Sequence, residues 1–171
     1  MNRQLEHVLL KVSALNDFYS TNIYDTYSVA KHILSQDVDA RLEANDHALV
    51  NAIARLTING KAKNFYSFAS KYCSHHRPNT YPIFDYYVDR MILHYRDADS
   101  FHAFSKLDLR DYPRFISVMQ EFRLFYGLEE FSLKNLDVFL WMAGRQYFKK
   151  AYYKKTRVVG SSTPPLRGVN R

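Results

Sequence analysis

Apolar side chains recur at i, i+3, i+4 and i+7 in segment after segment of this chain. That spacing decides its fold class. Leu5, Val8, Leu9 and Val12 carry it first, and Phe65, Phe68, Ala69, Tyr72 and Cys73 repeat it with one further step. Val88, Met91, Ile92 and Tyr95 carry it again. Residues so spaced lie on one face of an α-helix. Few segments alternate with period two, and Gly and Pro are scarce at five each. The prediction is an all-α, compact multi-helix domain rather than a sandwich or barrel. At 171 residues the chain is long enough for one domain with its own core. An apolar content of 47% argues against a disordered chain.

Punctuation residues divide the pattern. Helices are predicted over residues 2–14 and 26–35, with the Tyr- and Asn-rich stretch 18–27 as a loop or irregular helix start between them. DVDARLEAND, 37–46, reads as a connector without a strong period. Asn45 or Asp46 caps a helix to about residue 57, and NGKAKN, 59–64, reads as a turn by its Asn-Gly pair. Asn64 can cap the next helix. HHRPNTYP, 75–82, cannot stay helical, because Pro78 and Pro82 each lack a donor and push the preceding residue toward extended backbone. A helix must then begin near Asp85, after which 96–111 is irregular. Pro113 fits the first turn of a helix ending at Gly127, and Ser132 caps the last. The expected organisation is one helical domain over 1–157 and a basic, mobile tail over 158–171.

The net charge of +7 sits at one end. From Arg145 onward there are eight Lys or Arg and no acid, and the rest of the chain carries a net charge of −1. Such a block suits nucleic acid or an anionic membrane, or is a solvated tail without a partner. FKKAYYKKTR, 148–157, interleaves aromatics with five basic residues and has no large apolar face opposite its lysines, which favours nucleic acid. Neither a signal-type apolar run in MNRQLEHVLLKV nor a stretch of roughly 18 apolar residues is present, so a cytoplasmic, soluble monomer without a membrane partner is expected. Cys73 is the single cysteine and cannot form an intramolecular disulfide. Cys73, His75 and His76 supply too few well-spaced ligands for a closed zinc site, and no metal or cofactor is implied.

Two places can carry chemistry. The turn at Gly60, flanked by Lys61 and Lys63, can present backbone N–H groups to a phosphate, or be an ordinary solvated turn. Asp85 is well placed to cap its helix through the N–H of Val88. A carboxylate at a helix N-terminus stays ionised because the helix dipole favours its charge. Facing a pocket, it could also stabilise a sugar cation or activate water.

PIFDYYVDRM, 82–91, resembles the Pro-x-Asp-x-x-Val-x-Arg segment of the helix-hairpin-helix DNA glycosylases. Asp85, Val88 and Arg90 fall on the matching positions, with one residue more between Pro82 and Asp85 than the family has. The preceding KAKNFYSFASKYCSHHRP is similar to the family's second hairpin helix and its exit, so the resemblance covers about residues 45–95. It departs at the hairpin, where only Gly60 stands for a Gly-hydrophobic-Gly run. It departs again at Phe65–Ser67, where bifunctional members carry a lysine nucleophile.

The resemblance implies a monofunctional enzyme that excises a damaged or modified base from double-stranded DNA. A compact member suits hypermodified bases of foreign DNA. Asp85 would stabilise the sugar cation or activate water. Asn22, Tyr24 and Tyr27 would wall the base pocket, unless these tyrosines are core residues with wetted hydroxyls. Gly60, Lys61, Lys63, Lys71, Arg77, Lys149, Lys150, Lys154 and Lys155 would hold the DNA backbone. The alternative is a non-catalytic DNA-binding or protein-interaction module that uses Asp85 only as a cap. An open, tyrosine-lined cleft at Asp85 favours the enzyme, and a cleft filled by the protein's own side chains favours the module.

Overall fold

Short polar side chains set the starts of four helices. Asp25, Asp85, Asp111 and Ser132 each accept a hydrogen bond from the backbone of the first turn that follows. Ser132 and Asn135 complete a reciprocal capping box. The computed structural model describes residues 2–148. It is mostly helical: α1 Leu5–Tyr19, α2 Thr26–Leu34, α3 Val38–Glu43, α4 Ala48–Ala54, α5 Tyr66–His76, α6 Tyr86–Asp99, α7 Tyr112–Phe125 and α8 Leu133–Tyr147, with a 3-10 turn at Asp108–Arg110. The tail 158–171 and the lysines of 149–155 lie outside the described residues. Among those residues, no helix is long and apolar enough to cross a membrane.

The all-α expectation needs one correction. Arg55–Ile58 and Lys61–Asn64 form an antiparallel two-stranded hairpin, β1 and β2, with Ile58 opposite Lys61. Asn59 and Gly60 both take positive φ, 49° and 72°, as a two-residue hairpin turn requires. Leu56 and Ile58 turn partly inward against exposed Arg55 and Thr57, while every residue of β2 is exposed. The helix expected to reach residue 57 therefore stops at Ala54, and Phe65 rather than Asn64 precedes α5.

α1 also runs five residues past its predicted end, and Ser20 stops it in the left-handed region at φ 50°. The Asn16 side chain then gathers the following loop. Its amide donates to the Ile23 carbonyl at 3.0 Å and its oxygen accepts from the Ile23 N–H at 2.9 Å and from Thr21 Oγ1 at 2.8 Å. Ile23 is buried as a result, and Tyr24 stands in solvent at 96% exposure.

α1 packs on α2 and α5, α4 on α5 and α7, and α8 on α6 and α7. The core between them is unusually aromatic: Phe68, Tyr72, Tyr81, Phe84, Tyr112, Phe115 and Phe122 are all buried. Several pairs meet edge to face, such as Phe84 on Phe115 at 5.3 Å between ring centroids. α6 and α8 approach closely at Gly144. A Cβ there would lie 2.9 Å from Tyr87 Cβ and 3.0 Å from the Tyr87 carbonyl oxygen. Because that oxygen is backbone, it cannot swing away. Gly144→Val is expected to cost about 2–3 kcal/mol, which thermal melting would record as a fall of roughly 4–12 °C for a domain of this size. An unchanged melting temperature would mean that the two helices can separate freely.

Candidate functional site

Residues 82–85 join α5 to α6 without regular secondary structure, Asp85 in extended backbone, and three helices hold them. The Tyr112 hydroxyl of α7 donates to the Pro82 carbonyl at 2.6 Å. The Ile83 N–H donates to Asp137 Oδ2 of α8 at 2.6 Å. Ser70 of α5, fully buried, accepts from the Phe84 N–H at 3.0 Å, and its hydroxyl proton is shared between the Ser67 carbonyl at 2.9 Å and the Phe84 carbonyl at 3.2 Å. This strap delivers Asp85 to the start of α6. There its Oδ1 accepts from the N–H groups of Tyr87 at 2.9 Å and Val88 at 3.0 Å. Both bonds end on Oδ1, so capping leaves Oδ2 uncommitted to the helix. The expected cap on Val88 is present, with a second bond beside it.

Asp85 lies on the wall of a cleft of about 400 Å³, near the small end of ligand sites, which span roughly 300–1,000 Å³. Phe18 and Tyr19 from the last turn of α1 line it. Lys134, Asp137, Val138 and Trp141, spaced i, i+3, i+4 and i+7 on α8, line it too. Lys71 of α5, Ile83 and Val88 complete the lining.

Charge is concentrated in this cleft. Asp137 is 3% exposed, and both its oxygens accept from Lys134 Nζ at 3.2 Å. Burial pushes its carboxyl up from the usual range, while the Ile83 N–H and Lys134 pull it back. The Lys71 ammonium donates to Ser67 Oγ and lies over the Tyr19 ring, 5.1 Å from its centroid. Burial raises the Tyr19 hydroxyl too, and the negative charges of Asp137 and Asp85 add to the effect. Tyr19 Oη and His75 Nε2 are 3.0 Å apart. A smaller pocket of about 280 Å³, lined by Tyr19, Ser74, His75, Pro78, Ile83 and Lys134, shares three residues with the cleft. The arrangement offers a carboxylate at a helix N-terminus, a second carboxyl behind it, two ammonium donors, and aromatic walls open to a planar ligand.

Of the residues read from sequence, Asp85 and Lys71 meet here. Asn22, Tyr24 and Tyr27 do not. They are exposed on the α1–α2 loop and the start of α2, and do not line the cleft. The wall expected of them is made by Phe18 and Tyr19, because α1 continues further than its apolar stripe suggests. These tyrosines are not core residues either. Gly60, Lys61 and Lys63 sit on the exposed hairpin, away from the cleft lining. Arg77 ends α5 and lines a shallow pocket with Asp39 and Glu43, which is acidic company for a phosphate contact. Lys149, Lys150, Lys154 and Lys155 lie outside the described residues. Cys73, His75 and His76 diverge: Cys73 is in the core, His75 faces Tyr19, and His76 Nδ1 meets the Tyr72 carbonyl at 2.8 Å. Tyr19, Lys134, Asp137 and Trp141 were not anticipated. The signal available for Asp137 was an acid between Leu136 and Leu140 on an otherwise apolar helix face.

Residues 1–80 match the HI_0787_N family, described as an N-terminal domain. An uncharacterized protein of Haemophilus influenzae is 44% identical over 148 residues, covering 86% of this chain and 71% of that one. The chain belongs to the same family as that Haemophilus protein. Neither description carries an activity, and no solved structure matches the chain. The family match ends just before the strap that presents Asp85.

Proposed function

We propose that the protein is a compact, cytoplasmic DNA glycosylase related to the helix-hairpin-helix type, hydrolysing the N-glycosidic bond of a damaged or modified base. The observation that carries this reading is the placement of Asp85, held by the α6 N-terminus through one oxygen and set in the wall of an open cleft with aromatic sides. Cleavage of a glycosidic bond builds positive charge on the sugar, and a fixed carboxylate beside it stabilises that charge or orients water. The base must leave the stack and be held by stacking and polar contacts, which Phe18, Tyr19, Trp141 and the lysines can supply. A β-hairpin stands where the family has its glycine-rich hairpin, so phosphate grip would rest on Lys61, Lys63 and the basic C-terminal block instead. The test is abasic-site formation on duplexes carrying a panel of damaged and hypermodified bases. Duplex binding without any excision would favour the non-catalytic module.

The expected product is an intact strand bearing an abasic site. Phe65, Tyr66 and Ser67 occupy the positions where a nucleophilic lysine would stand. Lys71, one turn further on, is engaged as a cation by Ser67 and the Tyr19 ring. Borohydride should therefore trap little covalent enzyme–DNA adduct. Efficient trapping that disappears in Lys71→Met would instead make Lys71 a Schiff-base nucleophile.

A further inference from the structure

We propose that the outward face of α8 is the interface of a two-fold symmetric dimer, in which α8 of one copy lies antiparallel against α8 of the other. This goes beyond the base-excision reading and does not depend on it, and it replaces the monomer expected from sequence. A surface helix is ordinarily apolar on one side and polar on the other. α8 is apolar on both. Leu133, Leu136, Leu140 and Gly144 are buried on its inner side. Val138, Phe139, Trp141 and Met142 stand in water, Met142 at 60% and Phe139 at 47% exposure. Val138 is three and four residues before Trp141 and Met142, and Phe139 is three before Met142, so the four adjoin on the helix surface. Polar Asn135 and Arg145 bound this strip at either end.

Its area matches what a dimer needs. A standard interface covers about 800 Å² on each partner, of which a little over half, roughly 450 Å², is apolar. The four exposed side chains of α8 leave roughly 350–400 Å² in water. Phe131, one residue before the Ser132 cap and also exposed, brings the total to about 450 Å². Tryptophan and arginine are the residues most enriched where binding energy concentrates. Here the Arg145 guanidinium lies over the Trp141 ring, 4.8 Å from its centre.

The charges at the two ends of α8 favour a second copy over other occupants. Glu129 and Glu130 are exposed before its N-terminus, and Arg145 is exposed in its last turn. None of the three forms an ion pair among the described residues. Lys134, between them, is already paired with Asp137 at 3.2 Å. An antiparallel copy brings each Arg145 toward the glutamates of the other and opposes the two helix dipoles. A parallel copy would set like charges together. The glutamates disfavour an anionic membrane. Because the interface is the same patch on both copies, association stops at two. Val138 and Trp141 also line the Asp85 cleft, so the second copy stands at its rim.

Sedimentation equilibrium of the full chain over a wide concentration range should show monomer and dimer and no larger species. Phe139→Glu changes an exposed side chain twice in the symmetric interface. It should keep the melting temperature and weaken the dimer by roughly a hundredfold. Met142→Lys, more exposed still, serves the same end if Phe139→Glu melts early. Glu129→Lys with Glu130→Lys should weaken the dimer several-fold, and adding Arg145→Glu should restore most of the loss. A monomer at every concentration overturns the proposal, as does a dimer that neither Phe139→Glu nor Met142→Lys weakens. A dimer that the charge exchange does not restore overturns the antiparallel order. Maleimide labelling of Phe139→Cys tells the other occupants apart, since Cys73 is buried. In a monomeric chain, rapid labelling leaves the face uncovered and slow labelling gives it to residues 149–171, and either result overturns the dimer.

Discussion

Asp85→Asn is expected to give a folded protein that has lost base excision. The capping bonds from Tyr87 and Val88 both end on Oδ1, and an asparagine oxygen can accept both. Asn and Asp cap helices about equally well, so the stability change should stay within about 1 kcal/mol. The negative charge facing the cleft disappears, and with it the stabilisation of a sugar cation. A fixed acid–base or electrostatic group of this kind contributes about 10²–10⁴-fold, so excision should fall by about a thousandfold. Single-turnover abasic-site formation, read beside thermal melting, separates the two effects. Full activity in the variant would reduce Asp85 to a structural cap.

Asp137→Ala should have the second largest effect, through position rather than charge. Asp137 is the acceptor for the Ile83 N–H, two residues before Asp85, and it also receives Lys134. Removing it leaves a part-buried N–H without that partner, a loss of about 1–3 kcal/mol. Lys134 is 30% exposed and can turn to water, so its share is small. The strap would shift, and a displacement near 1 Å at the reacting group can cost about a hundredfold in rate. The loss should fall on kcat more than on KM. Asp137→Asn keeps an acceptor for Ile83 and should recover most of it. Equal losses in the two variants would show that the carboxylate charge itself acts in the reaction.

The helices were legible wherever apolar period and capping residue agreed. Val88 through Tyr95 behind Asp85, and Leu133 through Leu140 behind Ser132, gave both signals and fold as read. The elements missed had short or mixed signals. α3 has six residues, too few for a period to repeat. The hairpin was announced by Asn59-Gly60, but the flanking RLTI and KAKN are short, and KAKN has no inward face. For the site, Asp85 was readable because cap geometry is local in sequence. Lys71 was readable only as a basic residue for the DNA backbone, and Phe18, Asp137 and Trp141 were not readable at all, because they come from α1 and α8 and only tertiary packing brings them to one opening with Asp85. Tyr24 and Tyr27 were plausible by type, but the Asn16 clasp turns that loop the other way.

The strap at 82–85 has a consequence for amide exchange with heavy water. Its N–H groups at Ile83 and Phe84 are bonded to side chains of α8 and α5, and the Pro82 carbonyl to α7. A short loop ordinarily exchanges through small local openings that leave the rest of the protein intact. Here each amide is held by a side chain of a core-packed helix and a third helix holds the carbonyl just before them, so Ile83 and Phe84 should exchange far more slowly than an ordinary loop. Exposed β2, which among the described residues pairs only with β1, should exchange orders of magnitude sooner. The residue that presents the carboxylate is thereby tied to the cooperative unit of the whole domain. Destabilising changes far from the cleft should leave its geometry intact until the protein as a whole unfolds.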